Sequence, residues 1–220
     1  MERSRLAALV PAAGGGVRLG RGPKAFLALA GRPLLAWSVD ALRPFVHEVV
    51  VAVPPDDVER ASDLVPGARV VAGAATRQGT VERLAAATDR PYVLVHDAAR
   101  PFLDAAVIDA VTNALDTVRA LSVVTNVADS LIEAANGASV DRAALRAVQT
   151  PQAFERALLL EAHAAARTAG VDATDDAALV RRLGIEVALV PGGAHLFKVT
   201  TAADLALAEA YARHLAAGPS

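Results

Sequence analysis

Short apolar runs recur along the chain, at 7–12, 49–53, 69–71, 92–95, 122–127 and 186–190. Several lack the polar alternation of a half-exposed strand, the pattern of parallel strands covered on both faces. Between them, the stretches 33–42, 56–65, 80–88, 104–118, 154–168, 175–183 and 202–215 carry apolar residues three or four apart, which is the helical period. Strand alternating with helix predicts a parallel α/β sheet with right-handed crossovers.

One segment breaks this rhythm. From Ser130 to Ala147 the chain reads "SLIEAANGASVDRAALRA", with Asn136-Gly137 between two short alternating runs. Asn-Gly is a leading two-residue hairpin signal, so a hairpin projecting from the α/β body is expected. The residues alone leave two roles open for it, an arm reaching a partner subunit and a plain surface excursion.

Composition narrows the picture. No compositional shift marks a boundary in the 220 residues, so 1–220 is read as one domain. Hydrophobic residues make up 54% and aromatics only 4%, so the core must be built mainly from Ala, Val and Leu. Cysteine is absent, which removes disulfides, iron–sulfur clusters and thiolate zinc sites and fits a cytoplasmic location. The five histidines include no pair at metal-ligand spacing. No apolar run is long enough to span a membrane, and Met1 to Arg5 leads straight into a strand with no signal-peptide architecture, so a soluble, unexported protein is expected. A net charge of −2 argues against a nucleic-acid binder, which needs a broad basic surface. Any anionic ligand must be met by local cations.

Such cations stand in "VPAAGGGVRLGRGPKAF", where an apolar run breaks into Gly14, Gly15 and Gly16 and is followed by Arg18, Arg21 and Lys24. A glycine turn between strand and helix exposes backbone N–H groups suited to phosphate. The dinucleotide fingerprint fails here, because Leu19 occupies its last glycine position and no acidic residue closes the next strand. The Walker pattern fails because the chain has no Gly-Lys pair. What remains is a glycine-rich loop with its own positive charges, suited to a triphosphate. Further on, "YVLVHDAARPFL" ends an apolar strand in His96-Asp97, where ligands bind in open α/β sheets. A carboxylate there suits Mg²⁺ shared with substrate phosphates, and Arg100 could hold a second anion. Asp104 is better placed than Asp97 to cap the next helix, and His96 reads as structural. In "HLFKVTTAADLALAEAY", Lys198 stands just before a helix start, a position that can meet phosphate.

Together, "PAAGGGVRLGRGPKAFLALAGRPLL", "TRQGTVERL", "VHDAARPFL", "VQTPQAF", "TDDAALV" and "FKVTTAADLALAEAY" resemble the 2-C-methyl-D-erythritol 4-phosphate cytidylyltransferase family. They occur in that family's order over nearly the whole chain. The resemblance implies a Rossmann-like nucleotidyltransferase fold, with a mostly parallel central sheet, helices on both faces and a protruding β-arm at about 128–149. It implies a homodimer with interlocking arms. It also implies a Mg²⁺-dependent reaction of CTP with methylerythritol phosphate, releasing pyrophosphate in the non-mevalonate route to isoprenoids. By the same resemblance, Arg18 and Lys24 stabilise the transition state, and Ala12, Ala13, Gly14, Gly15 and Gly16 line the CTP. Ala74, Thr80, Asp97 and Ala98 complete the CTP site, with Thr80 on the cytosine and Asp97 on the metal. Arg100, Thr150, Lys198 and Asp97 meet the acceptor, together with Ser130 and Arg142 from the other subunit's arm; Arg142 and Lys198 position the attacking phosphate.

Three departures stand out. The stretch from Arg18 to Lys24 is one residue shorter than is common in the family. Ala74 and Ala75 stand where many members have glycine and aspartate, which leaves only backbone roles there, and Ala128 stands where many have arginine. The competing expectations are ribitol 5-phosphate cytidylyltransferase, whose members more usually resemble "HDAVRP", and a catalytically silent nucleotide-binding regulator on the same scaffold.

Overall fold

The computed structural model describes residues 1–14 and 23–217. Its centre is a seven-stranded sheet. Strands β1 (Leu6–Pro11), β4 (Glu48–Val53), β5 (Arg69–Ala72), β6 (Tyr92–Val95), β7 (Ala120–Asn126), β10 (Arg146–Glu155) and β11 (Ala188–Pro191) lie in the order β11-β7-β10-β6-β1-β4-β5. All pairings are parallel except those of β10, which runs antiparallel to both β7 and β6.

Alternation along the strands builds two cores. Leu6, Ala8 and Val10 of β1 face one side, with Val49, Val51 and Val53 of β4. Against that face lie helices α1 (Leu34–Leu42), α2 (Val58–Leu64) and α4 (Ala105–Ala114). Ala7, Leu9, Val50 and Ala52 face the other side, against α3 (Arg77–Ala86), α5 (Arg156–Thr168) and α6 (Asp176–Arg182). The expected α/β architecture is therefore present, and coverage of both faces is what makes these strands continuously apolar. A third cluster packs α7 (Ala202–Ala217) on the short hairpin of β2 (Ala28–Leu29) and β3 (Arg32–Pro33), around Phe102, Trp37 and Tyr211. No helix among the described residues is long and apolar enough to cross a membrane.

Two sequence expectations need correction. The pattern placed Phe154 in a helix and no strand before it, yet 146–155 form β10, the strand that breaks the parallel rule. Pro151 hid it, because proline usually rules out a central strand. Here the proline falls where the β10–β7 register shifts, between Val148 and Gln152, so no ladder hydrogen bond is demanded of it. The buried Gln152 is satisfied by Ser122, Asp175 and the amides of Asp176 and Ala177. The second correction concerns the hairpin, which does form, from β8 (Leu131–Ile132) and β9 (Ser139–Val140). Its turn is longer than two residues. Glu133 N donates to Ala138 O at 2.8 Å, and Gly137, at φ 74°, donates to Glu133 O. Asn136 accepts from Ala138 N and donates to Glu133 instead of forming a tight Asn-Gly corner.

Candidate functional site

The carboxyl ends of β1, β5 and β6 open onto one cleft of about 590 Å³. Its floor begins where β1 runs out. Ala12 N still donates to Ala52 O at 2.7 Å, and Ala13 and Gly14 follow along the wall. Across from them Gly73 leaves β5 with its amide on Val53 O, so close to Ala13 that a Cβ at 73 would overlap the Ala13 methyl. Only glycine lets the two loops meet. Thr76 caps α3 by accepting from Gly79 N, and the first turn of that helix aims Arg77 and Thr80 into the cleft. The buried Thr80 hydroxyl donates to Thr76 O and accepts from Ala74 N, so it braces the loop that carries Ala74 and Ala75.

The charged groups converge on Asp97. Lys198 Nζ lies 2.6 Å from its Oδ2, and Arg77 Nη2 lies 3.6 Å from its Oδ1. Burial pushes the Asp97 pKa up, but Lys198, Arg77 and Arg100 outweigh it and bring the carboxyl down to about 2. Arg77 reaches back 2.9 Å to the buried Asp176, which also meets His163 Nε2 at 3.1 Å. Burial opposes the charge on Arg77, yet Asp176 and Asp97 more than offset that and raise its pKa. Lys24 completes the lining from the start of a short 3₁₀ turn at Lys24–Phe26. Among the described residues the cleft thus carries Lys24, Arg77 and Lys198 against Asp97, an excess of positive charge suited to a polyphosphate.

Lys198 is held by its neighbours. Arg100 Nη1 donates to Leu196 O at 2.5 Å, Val199 N donates to Ala99 O, and Gln149 Nε2 donates to Gly193 O. After it, Thr201 and Asp204 form a capping box at the start of α7. The hydrogen bonds from Thr200 and Thr201 draw the Asp204 carboxyl down to about 2, the Thr200 hydroxyl contributing most.

The candidates named from sequence divide into three groups. Ala12, Ala13, Gly14, Lys24, Ala74, Thr80, Asp97, Ala98 and Lys198 line the one cleft. Gly15, Gly16, Arg18 and Arg21 lie outside the described residues. Arg100, Thr150, Ser130 and Arg142 do not line it. The guanidinium of Arg100 turns to Leu196 O and Val148 O, and Thr150 Oγ1 accepts from Asp97 N. Ser130 and Arg142 are exposed on and beside the hairpin, where Arg142 donates to Ala128 O. Asp104, as expected, caps α4 by accepting from Val107 N.

Sequence reasoning missed Arg77 and Thr200, both in the cleft wall. A signal for Arg77 was present. It precedes Thr80 by three residues on a helix, which puts the two side chains on one face. Its counterion Asp176 lies 99 residues away and gave no local sign. Among the described residues no three His, Cys, Asp or Glu side chains gather as a metal site. A single carboxylate does fit Mg²⁺ held chiefly by nucleotide phosphates and water.

Comparison with known proteins shows which family the chain resembles. The family model described as "IspD: 2-C-methyl-D-erythritol 4-phosphate cytidylyltransferase" matches residues 6–214. A Deinococcus radiodurans protein named 2-C-methyl-D-erythritol 4-phosphate cytidylyltransferase is 55% identical over 219 residues, covering 97% of this chain and 92% of the relative. One of the same name from Thermus thermophilus is 51% identical over 208 residues, covering 93% and 96%. A crystal structure of a Thermus thermophilus protein of that name superposes with a TM-score of 0.85 at 48% identity, covering 97% of this chain and all of that one. A 4-diphosphocytidyl-2C-methyl-D-erythritol synthase from Anaerococcus prevotii reaches a TM-score of 0.85 at 25% identity, over 96% of this chain.

Proposed function

The chain belongs to the 2-C-methyl-D-erythritol 4-phosphate cytidylyltransferase family, and from that premise we infer how its cleft works. The protein is a nucleotidyltransferase. It transfers a cytidylyl group from CTP to 2-C-methyl-D-erythritol 4-phosphate, giving 4-diphosphocytidyl-2-C-methyl-D-erythritol and pyrophosphate in the non-mevalonate isoprenoid pathway. The observation that carries the site assignment is the convergence of Arg77 and Lys198 on Asp97 in the one cleft that Lys24 and the backbone of Ala12 to Gly14 also line.

In our reading the triphosphate lies along Ala12–Gly14, with the base toward Ala74 and Thr80. A phosphate oxygen of the acceptor, already ionised at neutral pH, attacks the α-phosphorus. The new P–O bond forms as the bond to the leaving pyrophosphate breaks, so no covalent enzyme intermediate or strong general base is needed. Negative charge grows on the equatorial and leaving oxygens. Lys24 and Lys198 stabilise it from fixed positions, where such groups act most strongly, and Arg18 is read as adding a further positive charge. Asp97 aligns Lys198 and Arg77. When Mg²⁺ is bound at Asp97, it supplies further neutralisation of the phosphates.

We read 1–220 as one catalytic domain with a dimerisation arm at about 128–149. The arm of a second subunit brings Ser130 and Arg142 to the acceptor side. Support for this comes from Ile132, 64% exposed at the hairpin, and Val148, 42% exposed at its base, two apolar side chains left uncovered by their own chain. A cysteine-free sequence is in keeping with work in the reducing cytoplasm. The test is pyrophosphate release with CTP and Mg²⁺, comparing methylerythritol phosphate with ribitol phosphate. Methylerythritol phosphate should give the larger kcat/KM; the reverse order would overturn the substrate assignment.

A further inference from the structure

The residue before Asp97 is fully buried, lines no part of the cleft, and touches Thr150 and Arg100, the two residues that hold the Asp97 backbone. His96 leaves the end of β6 with its backbone amide on Leu9 O at 2.9 Å. Its Nε2 lies 3.0 Å from Arg100 O. A carbonyl oxygen only accepts, so Nε2 carries the proton and Nδ1 is bare. Thr150, delivered by β10 next door, stands 3.1 Å from Nδ1, so its hydroxyl donates there. The hydroxyl oxygen then accepts the Asp97 N–H, also at 3.1 Å. Every donor and acceptor in this chain has one role. The turn it spans is closed from inside by Arg100 N on Asp97 O at 3.0 Å. One imidazole therefore grips both ends of the turn, Arg100 directly and Asp97 through Thr150.

We propose that His96 is a positioning residue for cytidylyl transfer, holding the Asp97 backbone through the Thr150 hydroxyl so that the carboxylate meets Lys198 and Arg77 together. The proposal rests on the cytidylyl-transfer reading of the cleft. Lys198 and Arg77 meet opposite oxygens of Asp97, at 2.6 and 3.6 Å, so the two contacts together depend on where its carboxylate stands. A displacement on the order of 1 Å at a reacting centre can cost about 10²-fold in rate. An apolar residue of the same volume would fill the space but leave the Thr150 hydroxyl and Arg100 carbonyl unpaired in the interior.

Two near-isosteric variants separate the two halves of the imidazole. His96→Asn puts an amide oxygen where Nδ1 was and keeps the acceptor for Thr150. His96→Gln puts an amide nitrogen where Nε2 was and loses that acceptor. In the full-length protein, His96→Gln should lower kcat/KM for pyrophosphate release by about 10- to 100-fold, and His96→Asn by less than about 3-fold. In an Asp97→Asn background, His96→Gln should add less than about 3-fold, because its route to the chemistry is already cut. Equal losses in both single variants, or the full His96→Gln penalty in the Asp97→Asn background, would overturn the proposal. If His96→Gln does not fold, ¹⁵N NMR of the unsubstituted protein still decides: Nε2 should be pyrrole-like and Nδ1 pyridine-like, and the opposite tautomer refutes the relay. Failure of the unsubstituted protein to release pyrophosphate would count against the function. The tautomer would remain a separate result.

Discussion

The cleft and the hairpin are both built from short segments, but the cleft is braced by partners from distant parts of the chain and the hairpin is not. Asp97 has Lys198, Arg77 and, through its amide, Thr150. The hairpin pairs only Leu131 with Val140 and Ile132 with Ser139, and its apolar side chains face outward. A site that must hold charges at fixed distances needs buried, mutually satisfied partners, whereas an arm that meets another subunit must keep its contact surface free.

The largest effect expected from this contrast is at the cleft. Lys198→Ala should lower kcat by about 10²- to 10³-fold in the pyrophosphate-release assay, the scale of losing one preorganised charge. Arg142→Ala should cost similarly if a second subunit supplies it. Mixing inactive Lys24→Ala and Arg142→Ala subunits should then restore measurable activity, since one site of each hybrid is intact; no recovery in demonstrably mixed dimers would place the arm outside the site.

Acid should weaken the cleft's surroundings next. Burial lowers His96 to about 4, so the unfolded chain binds its proton at a higher pH than the folded one. Stability from this group is complete above the unfolded pKa of about 6.5 and falls by about 3 kcal/mol as pH drops to about 4. Asp97, lowered to about 2, contributes above the unfolded value of about 3.9 and loses that contribution below it. Denaturant unfolding between pH 7 and 3 should show the two losses in that order, and His96→Asn should abolish the first.

Two glycines sharpen the comparison at a smaller scale. Gly73→Ala crowds Ala13 at the cleft floor and should cost about 1–3 kcal/mol in thermal unfolding together with weaker CTP binding. Gly137→Ala meets open space but a positive φ, so it should cost about 1 kcal/mol and leave CTP binding unchanged. Smallest of all, Ile132→Ser should change the unfolding free energy of the isolated subunit by less than about 0.5 kcal/mol. In sedimentation at low concentration it should still shift the protein toward monomer.

Much of this architecture was readable along the chain. The strands at 92–95 and 49–53, the helices between strands and the Asp104 cap follow from local periodicity and capping chemistry. The convergence of Lys24, Thr80, Asp97 and Lys198 followed from a resemblance carried by quoted motifs rather than from spacing. Arg77 stood inside one of those motifs and passed unremarked, because its importance lies in Asp176 and Asp97, far along the sequence.

By itself the sequence determined what short-range physics can write: apolar runs long enough for buried strands, helical faces, a glycine loop followed by cations, and an acidic residue at the end of an apolar strand. Tertiary structure alone decided that 146–155 enters the sheet antiparallel, carrying Thr150 to the Asp97 amide and the neutral ring of His96. Tertiary structure also turned Arg100 toward Leu196 and Val148. The reason is that a strand's direction and a hydrogen bond's partner depend on which buried groups remain unsatisfied once the sheet is assembled, a condition no stretch of neighbouring residues contains.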